Sequence, residues 1–435
     1  MSTIAASPTI GHAVPADERS RVQARIENGL LWLLGLSGAV VIVEPSPYDA
    51  MFLLILPLFL IGGMRLHLSS LALIVPLVGF NIGGLLSVLP FFQESRSVFF
   101  VVTSIYLAFT SVFFACLMLE RPVPRLNALL RGYVWAAVIA SFAGLLGYFD
   151  VAGLGDVFTL YGRASGTFKD PNVLSVFVIL PLVFLAQDLL LRRRNFLLSA
   201  LQFGVILFGG VFLSFSRGAW AHAAVSLLLM VTLTFVLTPS LNLRRRITVI
   251  AALGGIVLIG AVAVAASLEG VREMLETRAS LDQSYDLGET GRFGNQLRSI
   301  SELLERPNGF GPLRFRFHFP EDPHNVYVNA FASYGWTGGI SYIVLILLTV
   351  VIGWRTVLAR LPVQPYAIAI WSVLFVQILQ GFQIDTDHWR HWYLMLGLIW
   401  GLFALEWRQR RSAPARRRVE AAALLPALTS AAPSA

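Results

Sequence analysis

Apolar residues in this chain fall into long uncharged blocks, too continuous for the period-2 or period-3.6 patterns of elements that face water on one side. Blocks bounded by charge, proline or polar clusters predict twelve membrane-crossing helices. They run Gly29 to Val43, Tyr48 to Met64, Leu68 to Leu89, Val98 to Leu119, Leu129 to Phe149, Val173 to Leu191, Phe196 to Leu213, Ala219 to Leu237, Ile247 to Leu268, Val326 to Trp354, Ala367 to Ile384 and Trp392 to Leu405. The first and last are shorter than the about 20 residues that a hydrocarbon core requires. The expected fold is an all-α polytopic transmembrane helical bundle of about twelve spans. It occupies residues 29–407, between an N-terminal tail (1–28) and a C-terminal tail (408–435). The first 28 residues are polar and no small-residue cleavage site follows the first block, which is therefore expected to remain as a span rather than be removed as a signal peptide.

One connection stands apart. The stretch from Leu268 to Asn325 is far longer than ordinary loops, which seldom exceed about 12 to 15 residues unless they are functional or disordered. Within it Phe293, Leu297, Ile300 and Leu304 recur at steps of four, three and four, which places them on one helical face. An amphipathic helix from Arg292 to Arg306 follows, stopped by Pro307, Asn308 and Gly309, and expected to lie on the membrane face as a lid or wall over the bundle.

Composition agrees with a membrane solvent. The chain is 56% apolar and 13% charged, with a mean hydropathy of +0.71, which excludes a water-soluble globule. The net charge of +8 comes almost wholly from arginine, with Lys169 as the single lysine. If the N-terminus is cytoplasmic, the inner segments hold 21 basic and 7 acidic residues, against 12 and 18 in the outer ones. That asymmetry is the positive-inside pattern and sets both termini in the cytoplasm. The Arg-rich stretch after Trp407, with its Ala, Pro and Ser content, reads as a disordered tail against anionic lipid headgroups, with no nucleic-acid partner expected. A lone cysteine, Cys116, rules out an intrachain disulfide or a Cys-built metal site.

The ionisable residues inside the predicted spans, Asp49, Arg131, Asp188 and His222, all lie near span ends. A proton-coupled pump would need such groups near the bilayer midplane. Polar residues collect instead on the outer side, in 150–170, 214–218, 268–325 and 385–391.

Four strings there resemble the O-antigen ligase and polymerase superfamily, in the expected order and between the expected spans: GRASGTFKDPN (Gly162 to Asn172), SFSRGAW (Ser214 to Trp220), GRFGNQLRSISELLERPNGFGP (Gly291 to Pro312) and PHNVYVNAFASYGWTGG (Pro323 to Gly339). The resemblance covers roughly residues 25–407. It implies a bacterial inner-membrane glycosyltransferase working on the periplasmic face, independent of metals and cofactors. Its donor is a glycan on an undecaprenyl diphosphate carrier, and its acceptor is a hydroxyl of lipid A core or of another glycan. By that resemblance His324 is the expected base for the acceptor hydroxyl. Arg217 and Arg292, with Arg163 as a third, are the expected diphosphate clamps, because planar guanidinium forks bind phosphate oxygens bidentately.

His318 is the rival base in the same loop, Asn325 adjoins His324, and Arg390 could add to the anionic-substrate surface. Each has a plainer role open to it: Arg217 can snorkel to headgroups, Arg292 can merely begin an exposed helix, and His324 can cap a span. The turn from Ile384 to Trp392 carries two acids and two histidines and is read as a structural rim, while His222 is read as a satisfied interior histidine. Two other functions stay open: a transporter or flippase of lipid-linked glycans, and a non-catalytic scaffold for envelope assembly.

Overall fold

A computed structural model of the chain describes residues 18–191, 195–279 and 291–429. Every predicted apolar run forms a helix. In chain order the helices are α1 (Glu18–Ser37), α2 (Pro47–Ile61), α3 (Leu71–Val88), α4 (Ser95–Leu117), α5 (Pro122–Tyr148), the single turn α6 (Gly155–Phe158), α7 (Pro171–Phe177), α8 (Ile179–Leu191) and α9 (Phe196–Val205). There follow α10 (Arg217–Leu237), α11 (Leu241–Ala266), α12 (Glu269–Ala279), α13 (Arg292–Leu304), α14 (Val326–Leu358), α15 (Gln364–Gln380) and α16 (Arg390–Thr429). Two short strands, β1 (Thr159–Leu160) and β2 (Arg163–Ala164), form a hairpin between α6 and α7.

Among the described residues, seven helical stretches have the length and apolarity to cross a membrane, and α2, α15 and the α9 stretch Phe196–Phe212 are shorter apolar helices. The predicted first and last spans lie in α1 and α16, which extend beyond their apolar cores into charged sequence. At the C-terminus the helix does not end near Leu405 but continues to Thr429. The Ala, Arg, Leu and Glu of that stretch are strong helix formers, so the segment read as a disordered tail extends the preceding helix.

Close helix pairs are built on glycine. A Cβ at Gly132 of α5 would collide with the Trp32 carbonyl of α1, one at Gly83 of α3 with the backbone of Gly338 in α14, and one at Gly397 of α16 with the Ser111 carbonyl of α4. Small residues let backbones approach where lipid gives no hydrophobic drive to associate. The exception is α11. Of its residues only Ile247 is buried, and Ile256, Val257, Ile259 and Val264 are exposed, so this helix presents apolar side chains to lipid around its circumference.

Alternate connections meet at one end of the bundle. Val41 N–H bonds the Thr167 carbonyl at 2.9 Å, tying the α1–α2 connection to the hairpin segment. Ser87 and Ser97 hydroxyls donate to the carbonyls of Asn308 and Pro312, tying the α3–α4 turn to the long connection. Arg163 reaches the Ser214 carbonyl before α10, and Val326 N–H bonds the Gly381 carbonyl after α15. At the opposite end Glu27 of α1 pairs with Arg121 and Arg125, Arg246 donates to the Leu189 carbonyl, and Arg355 pairs with Glu406. The end that gathers the four family-like strings is called the mouth below.

Candidate functional site at the mouth

One flank of the mouth is the hairpin against the start of α10. Tyr161 and Gly162 both take positive φ, 53° and 69°, the pair that a two-residue hairpin of type I′ requires. This delivers Arg163 to a buried position, 8% exposed, where Nε donates to the Ser214 carbonyl at 2.6 Å and Nη2 to Asn172 Oδ1 at 2.8 Å. Gly166, at φ 53°, passes so close to α5 that a Cβ would strike the Ala140 carbonyl. Asp170 caps α7 by accepting from Asn172 N–H, while Lys169 pairs with Glu44 at 3.1 Å rather than with Asp170. A π-helical turn, Ile206–Phe212, then leads through Phe215, at φ 46°, into α10. The Ser216 hydroxyl oxygen caps that helix by accepting the Ala219 N–H, and Arg217 is the first helical residue, partly exposed.

The other flank is the start of α14. His324 holds a left-handed conformation, φ 43°, which costs a non-glycine residue about 1 kcal/mol. Asp385 accepts the Asn325 N–H at 3.0 Å and also the His324 N–H, fixing this turn. Burial, and then repulsion from Asp387, push the Asp385 carboxyl up to about 8, while the two amides pull the other way. Asn325 caps α14 through Tyr327 and Val328 N–H, and its own amide reaches Gln296 Oε1 at 3.3 Å. Gln296 Nε2 in turn donates to the Pro323 carbonyl at 2.7 Å.

The two flanks share the turn that follows α15. Gly218, next to Arg217, lies against this turn, since a Cβ there would sit 3.2 Å from Gln380 Nε2 and 3.9 Å from Gln383 Oε1. Gly381 and Asp385 of the same turn hold Val326, Asn325 and His324. Beneath it His222 bonds Gln380 at 2.7 Å and the Val373 carbonyl at 3.1 Å, the satisfied interior histidine that the sequence suggests.

Helix α13 matches the predicted amphipathic element, and its two faces differ sharply in burial. Asn295 and Ser299 are fully buried, whereas Leu297 is 71% and Leu304 67% exposed. On the polar face Gln296 bonds Pro323 and Asn325 and the Ser299 hydroxyl donates to the Gln296 carbonyl within the helix, while Leu297 and Leu304 stay largely uncovered. The following turn is stitched into a break in α14, where Gly335 has φ 62°. Phe310 N–H bonds the freed Ala332 carbonyl, and Trp336 N–H bonds the Pro307 carbonyl, both at 2.8 Å. Gly309, at φ 69°, fits there because a Cβ would collide with the Phe331 and Ala332 carbonyls.

The remaining sequence candidates are dispersed. Arg292 begins α13, and its side chain lies outside the described residues. His318 stacks on Phe310 with centroids 4.3 Å apart and lies 3.9 Å from Glu302, near the far end of α13 from Gln296. Six residues of helix separate Glu302 from Gln296, about 9 Å, so the two histidines serve different ends of that helix. Partial burial, then Arg306, hold the His318 imidazole below its usual range. Arg390 is clamped bidentately by Asp49, at 2.8 and 2.6 Å, a partner 341 positions away that no local pattern announces. Asp387 bonds His388 and Asn329, and Asp385 bonds amides, so the two acids of the turn point to different tasks. Among the described residues no group of three or more His, Cys, Asp or Glu side chains could hold a metal ion.

No curated protein matches the chain. The family model described as O-Antigen ligase matches residues 202–343, which run from α9 through α10 and α13 into α14 and so include both helix starts that flank the mouth. Over that segment, about a third of the chain, the protein is similar to the O-antigen ligase family.

Proposed function

We propose that the mouth faces the periplasm of a bacterial inner membrane and transfers a glycan from undecaprenyl diphosphate to an acceptor hydroxyl. The family supports glycan transfer with lipid-linked substrates in general. The observation that carries the finer reading is the shared turn, which touches both the start of α10, bearing Arg217, and the start of α14, next to His324.

In this reading Arg217, with Arg163 and Arg292, binds the diphosphate oxygens, and the N-terminal amides of α10 and α14 add positive potential at the same place. The acceptor oxygen attacks the anomeric carbon as the bond from that carbon to the diphosphate oxygen breaks. His324 takes the hydroxyl proton, and undecaprenyl diphosphate leaves as the anion. Guanidinium groups carry the leaving charge, so the step requires no metal ion, and a single displacement inverts the anomeric centre.

Asn325 and Asp385 hold the base in place, and His318 and Arg390 stand outside the reaction. The acceptor is a lipid A core glycan in a ligase or a carrier-linked glycan in a polymerase. Deletion of the gene followed by analysis of surface and carrier-linked glycans separates these. Long chains stranded on the carrier identify a ligase, and single repeats on the carrier a polymerase. Unchanged pools contradict glycan transfer altogether.

A further inference from the structure

Helix α11 leaves a gap beside it at the end opposite the mouth. Only Ile247 of its residues is buried, and between it and the α8–α9 pair lies an open groove of about 1220 Å³. Its floor is α8 at Asp188, one wall is Phe196 and Ser199 of α9, and the other is Arg245, Arg246 and Val249 of α11. The two guanidinium groups are placed differently. Arg246 Nη2 donates to the Leu189 carbonyl at 2.7 Å, which braces α11 against α8. Arg245 is exposed and makes no hydrogen bond or ion pair with a described residue. The preceding Arg244 turns to the α10–α11 connection, where its Nε donates to the Thr238 carbonyl at 3.1 Å. Asp188 is only 4% exposed, so the charge met at the opening of the groove is that of Arg245.

From Val249 the groove continues along α11 as a stripe of exposed apolar side chains, Leu253, Ile256 and Val257. Val257 lies twelve residues beyond Arg245, about 18 Å at 1.5 Å per residue, enough to cross one leaflet, half of a hydrocarbon core about 30 Å thick. A ligand that satisfies the whole groove therefore carries an anion at one end and a hydrocarbon body of that length. A free phosphate answers only the guanidinium group, and the ammonium of a zwitterionic headgroup is repelled by it. We propose that this groove holds an anionic glycerophospholipid in the leaflet opposite the mouth, with its phosphate on Arg245 and one acyl chain along the Val249 stripe. Basic residues at headgroup depth attract such lipids, and pockets of this kind between helices bind their phosphates. The lipid fills the space beside α11, the helix that leads into α12, whose Val271 packs with Ala164 and Phe215 at the mouth. The site is independent of the reaction proposed there.

The test uses the full chain in phosphatidylethanolamine vesicles. The probe is phosphatidylglycerol with a photoreactive group on its acyl chain. Label is expected on Phe196, Val249 or Leu253, displaced by unlabelled phosphatidylglycerol and not by additional phosphatidylethanolamine or by inorganic phosphate. Arg245→Gln should lower that label about fivefold, the usual worth of one basic residue at an anionic lipid surface. Arg245→Lys should restore it, since a lipid phosphate at this opening requires a charge rather than a planar fork. Label on exposed Val351 of α14, toward the same end of the bundle, should stay constant in both variants and reports an intact, embedded fold. Label at Val351 but not in the groove overturns the proposal, and so does groove label undiminished in Arg245→Gln, because the probe is then bulk lipid. Displacement by inorganic phosphate also overturns it, because the arginine then takes a free anion.

Discussion

The two flanks of the mouth differ in how they are held. On the α10 flank Arg163 is fixed by a backbone carbonyl and a side-chain amide, and the chain reaches α10 through a hairpin and a π-helical turn. On the α14 flank His324 is held through its backbone, by a carboxyl that accepts two amides, beside a groove that is almost wholly apolar. In the proposed reaction one flank presents guanidinium groups to an anion, and the other presents a base beside apolar side chains. A lipid diphosphate combines both chemistries in one molecule. The turn from Gln380 to Asp385, which touches both flanks, sets the distance between them.

The comparison breaks most sharply at the base. His324→Ala should lower transfer by about 10²- to 10⁴-fold, the usual contribution of a general base, with unchanged abundance in the membrane. Retained surface polysaccharide in that variant rejects the assignment. On the other flank Arg217→Lys should lose roughly 10-fold or more in transfer rate, because an ammonium cannot reproduce the planar fork. Full activity would reduce Arg217 to a point charge.

A smaller effect concerns the stitch that fixes α13. Gly309→Val should lower stability by about 1 to 3 kcal/mol, from a β-branched residue at positive φ pressed against two carbonyls, and thermal unfolding in detergent reads it. The smallest effect is a pH dependence. The Asp385 carboxyl is raised from its ordinary value near 3.8 to about 8, so across that window the folded chain keeps a proton that the unfolded chain has lost. Stability from this group is therefore complete at acid pH and is lost as pH rises through about 8. Asp385→Asn, which cannot ionise, should show a shallower fall in unfolding midpoint between pH 5 and 8. Parallel profiles would place the pH sensitivity elsewhere.

Much of the fold is written in local patterns. Every apolar block became a helix because in hydrocarbon each backbone amide must bond within its own segment. The spacing of Phe293, Leu297, Ile300 and Leu304 correctly marks α13, yet periodicity gives only the presence of two faces. The inward turn of the polar face is decided by Gln296 bonding Pro323 and Asn325, contacts made across the fold. The mouth was legible in outline, since Arg163, Arg217 and His324 lie in strings that alternate with spans and so fall at one end. The tether of Asn325 to Asp385, sixty positions away, and the clamp of Arg390 by Asp49 depend on helix packing, for which the sequence has no short-range signal.

That both flanks serve one reaction is tested most directly by the rate of glycan transfer in reconstituted vesicles. The comparison needs four forms of the chain: the native one, Arg217→Ala, His324→Ala and the double variant. Groups acting on the same transition state lose catalysis together, so the double variant should be about as slow as the slower single one. A double variant slowed by the product of the two single effects would mean that the arginine and the histidine act in separate steps, and would contradict a single shared mouth.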